Sequence, residues 1–167
     1  MWVRVIAYGL AGYNAATKTC ELDTRFVLAE ASTPEVIAAA IVHEATHARL
    51  TRCGIGYEEG LRAQVEAVCL RREIAFAARL PNGEEARERA KRSLELYSAD
   101  ELWTDAAFAE RHLDGALAAL RHLGAPEWFV RTVAAIFAWR QGIREPIVRQ
   151  QDGCASLCER WPGRDRP

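Results

Sequence analysis

The sequence has no run of apolar residues close to the roughly 20 that a membrane-spanning helix requires. It also has little net charge, because its 22 basic and 23 acidic residues leave a formal charge of -1. No overall electric field would therefore draw the chain to nucleic acid or to an anionic membrane. Twenty of the basic residues are arginines, but they form no clear local cluster. We expect a soluble protein that binds neither nucleic acid nor membrane.

Cysteine is too scarce for a disulfide scaffold, since the chain has only five cysteines, an odd number. Reduced thiols in the cytoplasm are the expected state. Arg4 is the only positive charge near the N-terminus and lies inside the apolar run, which is unlike a secretory signal. Cys53 and Cys69 are most simply small buried apolar residues. Cys154 and Cys158, four positions apart, could form a second thiolate site if their segment is helical.

Strand-like patterns are confined to the start of the chain. Residues 2–8 and about 19–29 are rich in β-branched and aromatic side chains with partial alternation. Gly9, Gly12 and Asn14 lie between these segments and favour turns. The pattern predicts a small N-terminal β-hairpin or short meander.

Helical signals dominate the rest of the chain. Ser32-Thr33-Pro34 is a helix start and Gly54 a helix stop, which predicts a helix over about 34–52. Further helices are predicted over about 58–80, 84–97, 100–123 and from Pro126 onward. The sequence therefore predicts an α+β fold, a small sheet followed by a mostly helical bundle. One domain over residues 1–145 would precede an extended or partly disordered tail over 146–167.

Residues 43–47 read His-Glu-Ala-Thr-His and carry the clearest chemistry of the chain. On an α-helix, His43 and His47 lie on one side about one turn apart, close enough to share a metal ion. Glu44 can approach the open side of that ion without being a ligand. This arrangement suits zinc hydrolysis, in which imidazoles hold the metal and a carboxylate takes a proton from metal-activated water. We predict one zinc ion per chain, with Glu44 as the general base.

The residues before the motif favour a metal over a chance cluster. Residues 36–42 are apolar around the whole circumference of the predicted helix, which indicates a buried helix. Ionisable groups in a buried helix need a partner, because an unpaired buried carboxylate is costly, and a divalent cation would satisfy them. The alternative is a coincidental cluster in a helical interaction protein without metal.

A zinc hydrolase usually needs a third protein ligand, and the nearest candidates are Glu58, Glu59, Glu66 and Glu73. If the second helix returns antiparallel, His47 and His43 lie about 9 and 16 Å from the turn. Glu66 lies about 12 Å from the turn and Glu73 about 22 Å. Only Glu66 comes level with both histidines, so we predict His43, His47 and Glu66 as metal ligands. The alternative for Glu66 is a surface ion pair with Arg62, four positions earlier.

The motif at residues 43–47, followed 19 positions later by Glu66, resembles the gluzincin class of zinc metallopeptidases, to which thermolysin belongs. In that class the two histidines and the downstream glutamate bind zinc, and the glutamate within the motif is the base. The resemblance implies the same roles here, with a peptide or protein as substrate. It covers only about residues 33–81. Leu70 replaces the acidic residue that supports a zinc histidine in thermolysin, so that support must differ here.

A peptidase also needs a donor for the oxyanion of the tetrahedral intermediate, and the candidates are His112, Tyr57, Arg62 and Tyr97. A lone helical histidine is more often a packing residue. Two histidines and a carboxylate also suit iron, cobalt or manganese. A metal-binding module without proteolytic activity is therefore an alternative to the peptidase.

Overall fold

The computed structural model describes residues 2–6, 11–97 and 100–142. Three strands come first: β1 (Trp2–Ile6), β2 (Gly12–Asn14) and β3 (Thr19–Asp23). The helices are α1 (Thr24–Leu28), α2 (Pro34–Arg52), α3 (Glu59–Ala77), α4 (Glu84–Leu96), α5 (Asp105–His122) and α6 (Glu127–Gly142), with a 3₁₀ helix at Asp100–Trp103 before α5. The fold is mixed α+β, a small sheet followed by a mostly helical region, which confirms the predicted fold class.

Some predictions fall on residues outside the described ranges. They concern the end of the first predicted strand, Gly9, and the tail over 146–167 with Cys154 and Cys158. Within the described ranges, α2 to α6 lie where the sequence predicts helices, and the main difference is at Thr104. Its side chain accepts a hydrogen bond from the backbone N–H of Ala107 at 3.2 Å and begins α5 there. None of the described helices combines the length and apolar character needed to cross a membrane.

The sheet has the order β1-β3-β2, with β3 in the centre. β2 and β3 form an antiparallel hairpin, whereas β1 runs parallel to β3. This order differs from that of a meander, in which the second strand would be central. β3 carries the most buried side chains of the sheet, Cys20 and Leu22, which are 0% and 1% exposed. The strand that is most buried is therefore the one paired on both sides.

The second predicted strand, over about 19–29, is too long. β3 ends at Asp23, and α1 begins immediately after it. The Asp23 carboxylate accepts a hydrogen bond from the backbone N–H of Arg25 at 2.7 Å, so the side chain caps a helix instead of continuing the ladder. The apolar residues of Thr24–Leu28, which suggested a strand, belong to this short helix.

α2 lies at the centre of the fold. Thr33 caps its start by accepting from the backbone N–H of Val36 at 3.3 Å, and Pro34 occupies the first turn. Gly54, with a positive φ of 77°, follows its end. Every residue from Glu35 to Ala48 is buried or half-buried, as the apolar circumference of this helix predicts. The motif at residues 43–47 is therefore inside the protein.

Two apolar clusters hold the helices around α2. In the first, small residues let α2, α3 and α4 approach closely: Val36, Ala39, Ala77 and Ala86, with Phe26 and Phe76 packed against them. The second surrounds the α2–α3 connection and contains Leu50, Val65 and Cys69, with Ile55, Tyr57, Leu61 and Val68 around them. These contacts fix the spacing and register of α2 and α3, on which the position of the motif side chains depends.

Arg62 of α3 fixes α5 against the helix pair. Its guanidinium donates to the main-chain oxygen of Trp103 at 3.0 Å and to the Asp105 carboxylate at 2.6 Å. It also lies over the ring of Phe108, 4.6 Å from the ring centre. The surface pair between Arg62 and Glu66 considered from the sequence is not the arrangement found, because Arg62 is buried and directed toward α5.

Candidate metal centre

His43 and His47 of α2 meet Glu66 of α3 in one compact group. The two histidine Nε2 atoms lie 3.2 Å apart. Glu66 places Oε2 3.1 Å from His43 Nε2 and Oε1 3.2 Å from His47 Nε2. Tetrahedral zinc with bonds of about 2.0 Å separates its ligand atoms by roughly 3.3 Å. The structure thus brings the three predicted ligand residues together at nearly the spacing that one zinc ion requires.

The orientation of His43 also suits a metal ligand. Its Nδ1 lies 3.0 Å from Glu73 Oε2, a carboxylate oxygen that can accept a hydrogen bond from Nδ1 and leave Nε2 free to bind a metal ion. Nε2 itself faces a Glu66 oxygen, which is also an acceptor. Burial opposes a second proton on the ring, but hydrogen bonds with Glu66 and Glu73 raise the pKa of His43 to about 10. A metal ion would replace that proton.

Negative charge exceeds positive charge around the two histidines. The charged side chains buried within the described residues are Asp23, Glu44, Arg62, Glu66 and Glu73. Two of them have partners elsewhere, since Asp23 pairs with Arg25 and Arg62 with Asp105. The other three are the glutamates that surround the histidines. Such a group is costly to bury unless a cation joins it.

Glu44 lies between the histidines and the sheet. It is 6% exposed, and the backbone N–H of Tyr13 in β2 lies close enough to its carboxylate to lower its pKa slightly. Burial raises the pKa of Glu44, and the positive charges of His43 and His47 only partly offset this effect. Among the described residues, no hydrogen bond joins Glu44 to Glu66 or to the imidazole nitrogens of the two histidines. Glu44 therefore lies beside the candidate ligand residues without a side-chain hydrogen bond to them, and its role as a base stays a prediction.

Glu73 also contacts His43, although the sequence ranking placed it out of reach. The ranking placed it about 6 Å beyond His43 along the helix axis. Helical side chains, however, lean toward the N-terminus of their own helix. In an antiparallel pair, Glu73 therefore leans toward the α2–α3 turn while His43 leans away from it, and the two meet. Glu66, Leu70 and Glu73 share one face of α3, and this spacing was the available signal.

The other two ranked glutamates lie outside the group. Glu58 and Glu59 are exposed at the start of α3. Glu59 accepts a hydrogen bond from the backbone N–H of Asp105 at 3.1 Å, which ties α3 to the start of α5. Their placement near the turn agrees with the geometric ranking.

Cys69 is a further group at this centre. Its buried sulfur lies within 4.8 Å of one ring nitrogen of His43 and one of His47. Burial, and then the negative charge of Glu66, raises the pKa of the Cys69 thiol well above its ordinary value. The sequence indicated only a small buried apolar residue here. The position on α3, three residues after Glu66, gives Cys69 a second possible role as a ligand.

A cleft of about 1360 Å³ leads to His43, His47 and Glu66, the candidate metal-ligand group. Residues of β2 and of α5, including Phe108 and His112, line it together with Glu44 and this group, which lie on α2 and α3. The cleft thus gives a molecule the size of a short peptide access to Glu44 and to the candidate ligand residues.

The four candidate oxyanion donors are placed differently. Tyr57 donates its hydroxyl proton to Glu66 Oε1, and burial raises its pKa. The nitrogens of Arg62 bind main-chain oxygens and Asp105. His112 and Tyr97 line the cleft. Burial, followed by the charge of a neighbouring arginine, lowers the pKa of His112 and favours a neutral imidazole.

Comparison of the chain with models of protein families, with curated proteins and with solved structures gave no match. The resemblance to gluzincins therefore stays a prediction from the residues of the motif.

The hydrogen bond from His43 Nδ1 to Glu73 predicts a graded effect on metal affinity. We expect Glu73→Ala to weaken zinc binding about 10- to 100-fold, because the ring of His43 loses the acceptor that fixes its orientation. Glu73→Gln should lie between this variant and the parent, since its amide oxygen can still accept from Nδ1. Competition with a chromophoric chelator measures the affinities. Glu58→Gln, an exposed change on the same helix, is the control, and equal affinity in all four proteins would contradict the role of Glu73.

Proposed function

We propose that the chain is a zinc-dependent hydrolase that cleaves peptide bonds. The observation that carries the proposal is the spacing of three donor groups, His43 Nε2, His47 Nε2 and the Glu66 carboxylate, at 3.1 to 3.2 Å from one another. Beside them lie a buried carboxylate that is not a ligand and an open cleft. A zinc site with a purely structural role would not need an open cleft beside it.

In the proposed mechanism, the residues of α2 and α3 have separate roles. His43, His47 and Glu66 hold zinc, which when bound supplies a Lewis acid that acidifies water and polarises a carbonyl. Glu44 takes a proton from the attacking water and later gives it to the leaving amine. Glu73 keeps His43 in the tautomer that binds metal through Nε2. His112 and Tyr97 are the cleft residues from which the oxyanion donor would come.

The sheet supports a peptide as the substrate. β2 is an edge strand, so one side of its backbone is not paired with another strand within the described residues. The same strand lines the cleft together with Glu44 and packs against α2, which carries that glutamate. An extended peptide can align with an edge strand through main-chain hydrogen bonds, whatever its side chains. This arrangement would bring a peptide bond close to Glu44.

Metal content is the first test of the proposal. We expect about one zinc per chain in the purified, tag-free parent and little in His47→Ala, because two of three ligands hold zinc weakly. Elemental analysis measures both, and His122→Ala, at the exposed end of α5, is the matched control. Absence of metal in the parent, even after reconstitution with zinc, would leave a helical interaction protein as the better hypothesis.

The role of Glu44 is tested separately from metal binding. We expect Glu44→Gln to keep one zinc per chain and to lose turnover of a peptide library by about two to four orders of magnitude, because the amide cannot act as a base. Glu35→Gln, in the first turn of the same helix, should retain full turnover. Undiminished cleavage by Glu44→Gln would show that another group is the base.

The position of Cys69 supports a second candidate function. If the Cys69 thiolate filled the fourth position, zinc would be held by four protein ligands in a closed, structural site. The chain would then be a metal-binding module without hydrolytic activity. The sulfur lies within 4.8 Å of the histidine nitrogens, a looser limit than the 3.1 to 3.2 Å that separates the other ligand groups. We therefore favour the open site.

Cobalt substitution distinguishes the open site from the closed site. A thiolate ligand gives Co²⁺ an intense sulfur-to-metal charge-transfer band in the near ultraviolet. For the hydrolase we expect no such band and unchanged metal affinity in Cys69→Ala. Cys20→Ala, which also removes a buried thiol, controls for a loss of packing. A strong band in the parent that disappears only in Cys69→Ala would favour the structural site.

A further inference from the structure

Tyr57 makes a contact with the metal-ligand group that zinc binding alone does not require. It lies in the connection between α2 and α3, and its hydroxyl donates to Glu66 Oε1. Its ring meets the edge of His47 with centres 5.4 Å apart, and Phe108 lies against it at 5.7 Å. The hydroxyl is therefore aimed at a single oxygen of the third predicted ligand.

The position of the hydroxyl is fixed from several elements. The main-chain oxygen of Tyr57 accepts a hydrogen bond from Arg62 Nε at 3.2 Å. Arg62 is in turn held by Trp103 and Asp105, before and at the start of α5. The ring lies between His47 of α2 and Phe108 of α5. Tyr57 is thus positioned by α2, α3 and α5 together, which is more support than a space-filling residue in a connection needs.

Glu66 could bind a metal in two ways, because both of its oxygens face histidine nitrogens. Oε2 lies 3.1 Å from His43 Nε2, and Oε1 lies 3.2 Å from His47 Nε2. A carboxylate that used both oxygens would occupy two coordination positions. A hydrogen bond from Tyr57 to Oε1 competes with the metal for that oxygen and leaves Oε2 as the ligand.

We propose that Tyr57 is a positioning residue that holds Glu66 as a one-oxygen ligand and so keeps one coordination position free for water. The inference rests on the proposed function, since it takes Glu66 as a ligand of zinc. It assigns Tyr57 a role distinct from that of an oxyanion donor, because its only hydroxyl proton is directed to Glu66. It also assigns a role to Arg62, whose hydrogen bond to the main-chain oxygen of Tyr57 helps to hold the tyrosine in place.

Tyr57→Phe tests this role because it removes only the hydroxyl and keeps the ring between His47 and Phe108. We expect the variant to retain one zinc per chain with affinity lowered about 10-fold. Its Co²⁺ form should absorb less strongly in the visible range than the parent, because the second oxygen of Glu66 raises the coordination number from four to five. Thr132→Val is the control, since it also removes one hydroxyl but lies on α6, which does not line the cleft within the described residues. This control should match the parent in both measurements.

The outcomes separate this inference from the proposed function. A parent that binds no zinc would overturn both. A parent that binds one zinc, together with a Tyr57→Phe variant whose cobalt spectrum is unchanged, would overturn the role of Tyr57 alone. X-ray absorption at the zinc edge of the parent needs no variant: four nearest ligands with one carboxylate oxygen support the inference, and a two-oxygen carboxylate contradicts it.

Discussion

Burial of three carboxylates against two imidazoles is the constraint on which the rest of this structure depends. Each glutamate has a donor close by: Tyr13 for Glu44, Tyr57 for Glu66 and His43 for Glu73. These donors come from the sheet, from the α2–α3 connection and from α2. Hydrogen bonds of this kind reduce the cost of burying charge but do not balance it. A divalent cation between the helices would supply the missing positive charge.

The sequence predicted what is determined locally. The capping residue Thr33, the proline after it and Gly54 define α2 without reference to the rest of the chain, and the spacing of His43 and His47 follows once that helix is known. The sheet order was not predictable, because β1 pairs in parallel with β3 although β2 lies between them in the sequence. Asp23 ended the second strand early because its side chain, which the strand pattern ignores, caps α1.

The site shows the same division between local and long-range information. Placing Glu66 beside the histidines needed only the rise of a helix and the position of a turn. Placing Glu73 needed the direction in which side chains lean, and a measurement along the helix axis omits that direction. Tyr57 and Arg62 were candidate oxyanion donors by residue type, but their contacts depend on how α5 packs against α3. Of the two cysteines expected to be buried, Cys69 is buried, whereas Cys53 is exposed because it follows the end of α2. Only the structure shows which groups surround Cys69.

The antiparallel pair of α2 and α3 has a consequence for how the molecule can change during evolution. All proposed metal ligands, the base and Glu73 lie within residues 34–77, a continuous stretch that forms one helical hairpin. The walls of the cleft, β2 and α5, come from before and after it. Evolution of the proposed hydrolase could therefore change the residues that select a substrate separately from those that act on it, except at Phe108 of α5, which packs against Tyr57.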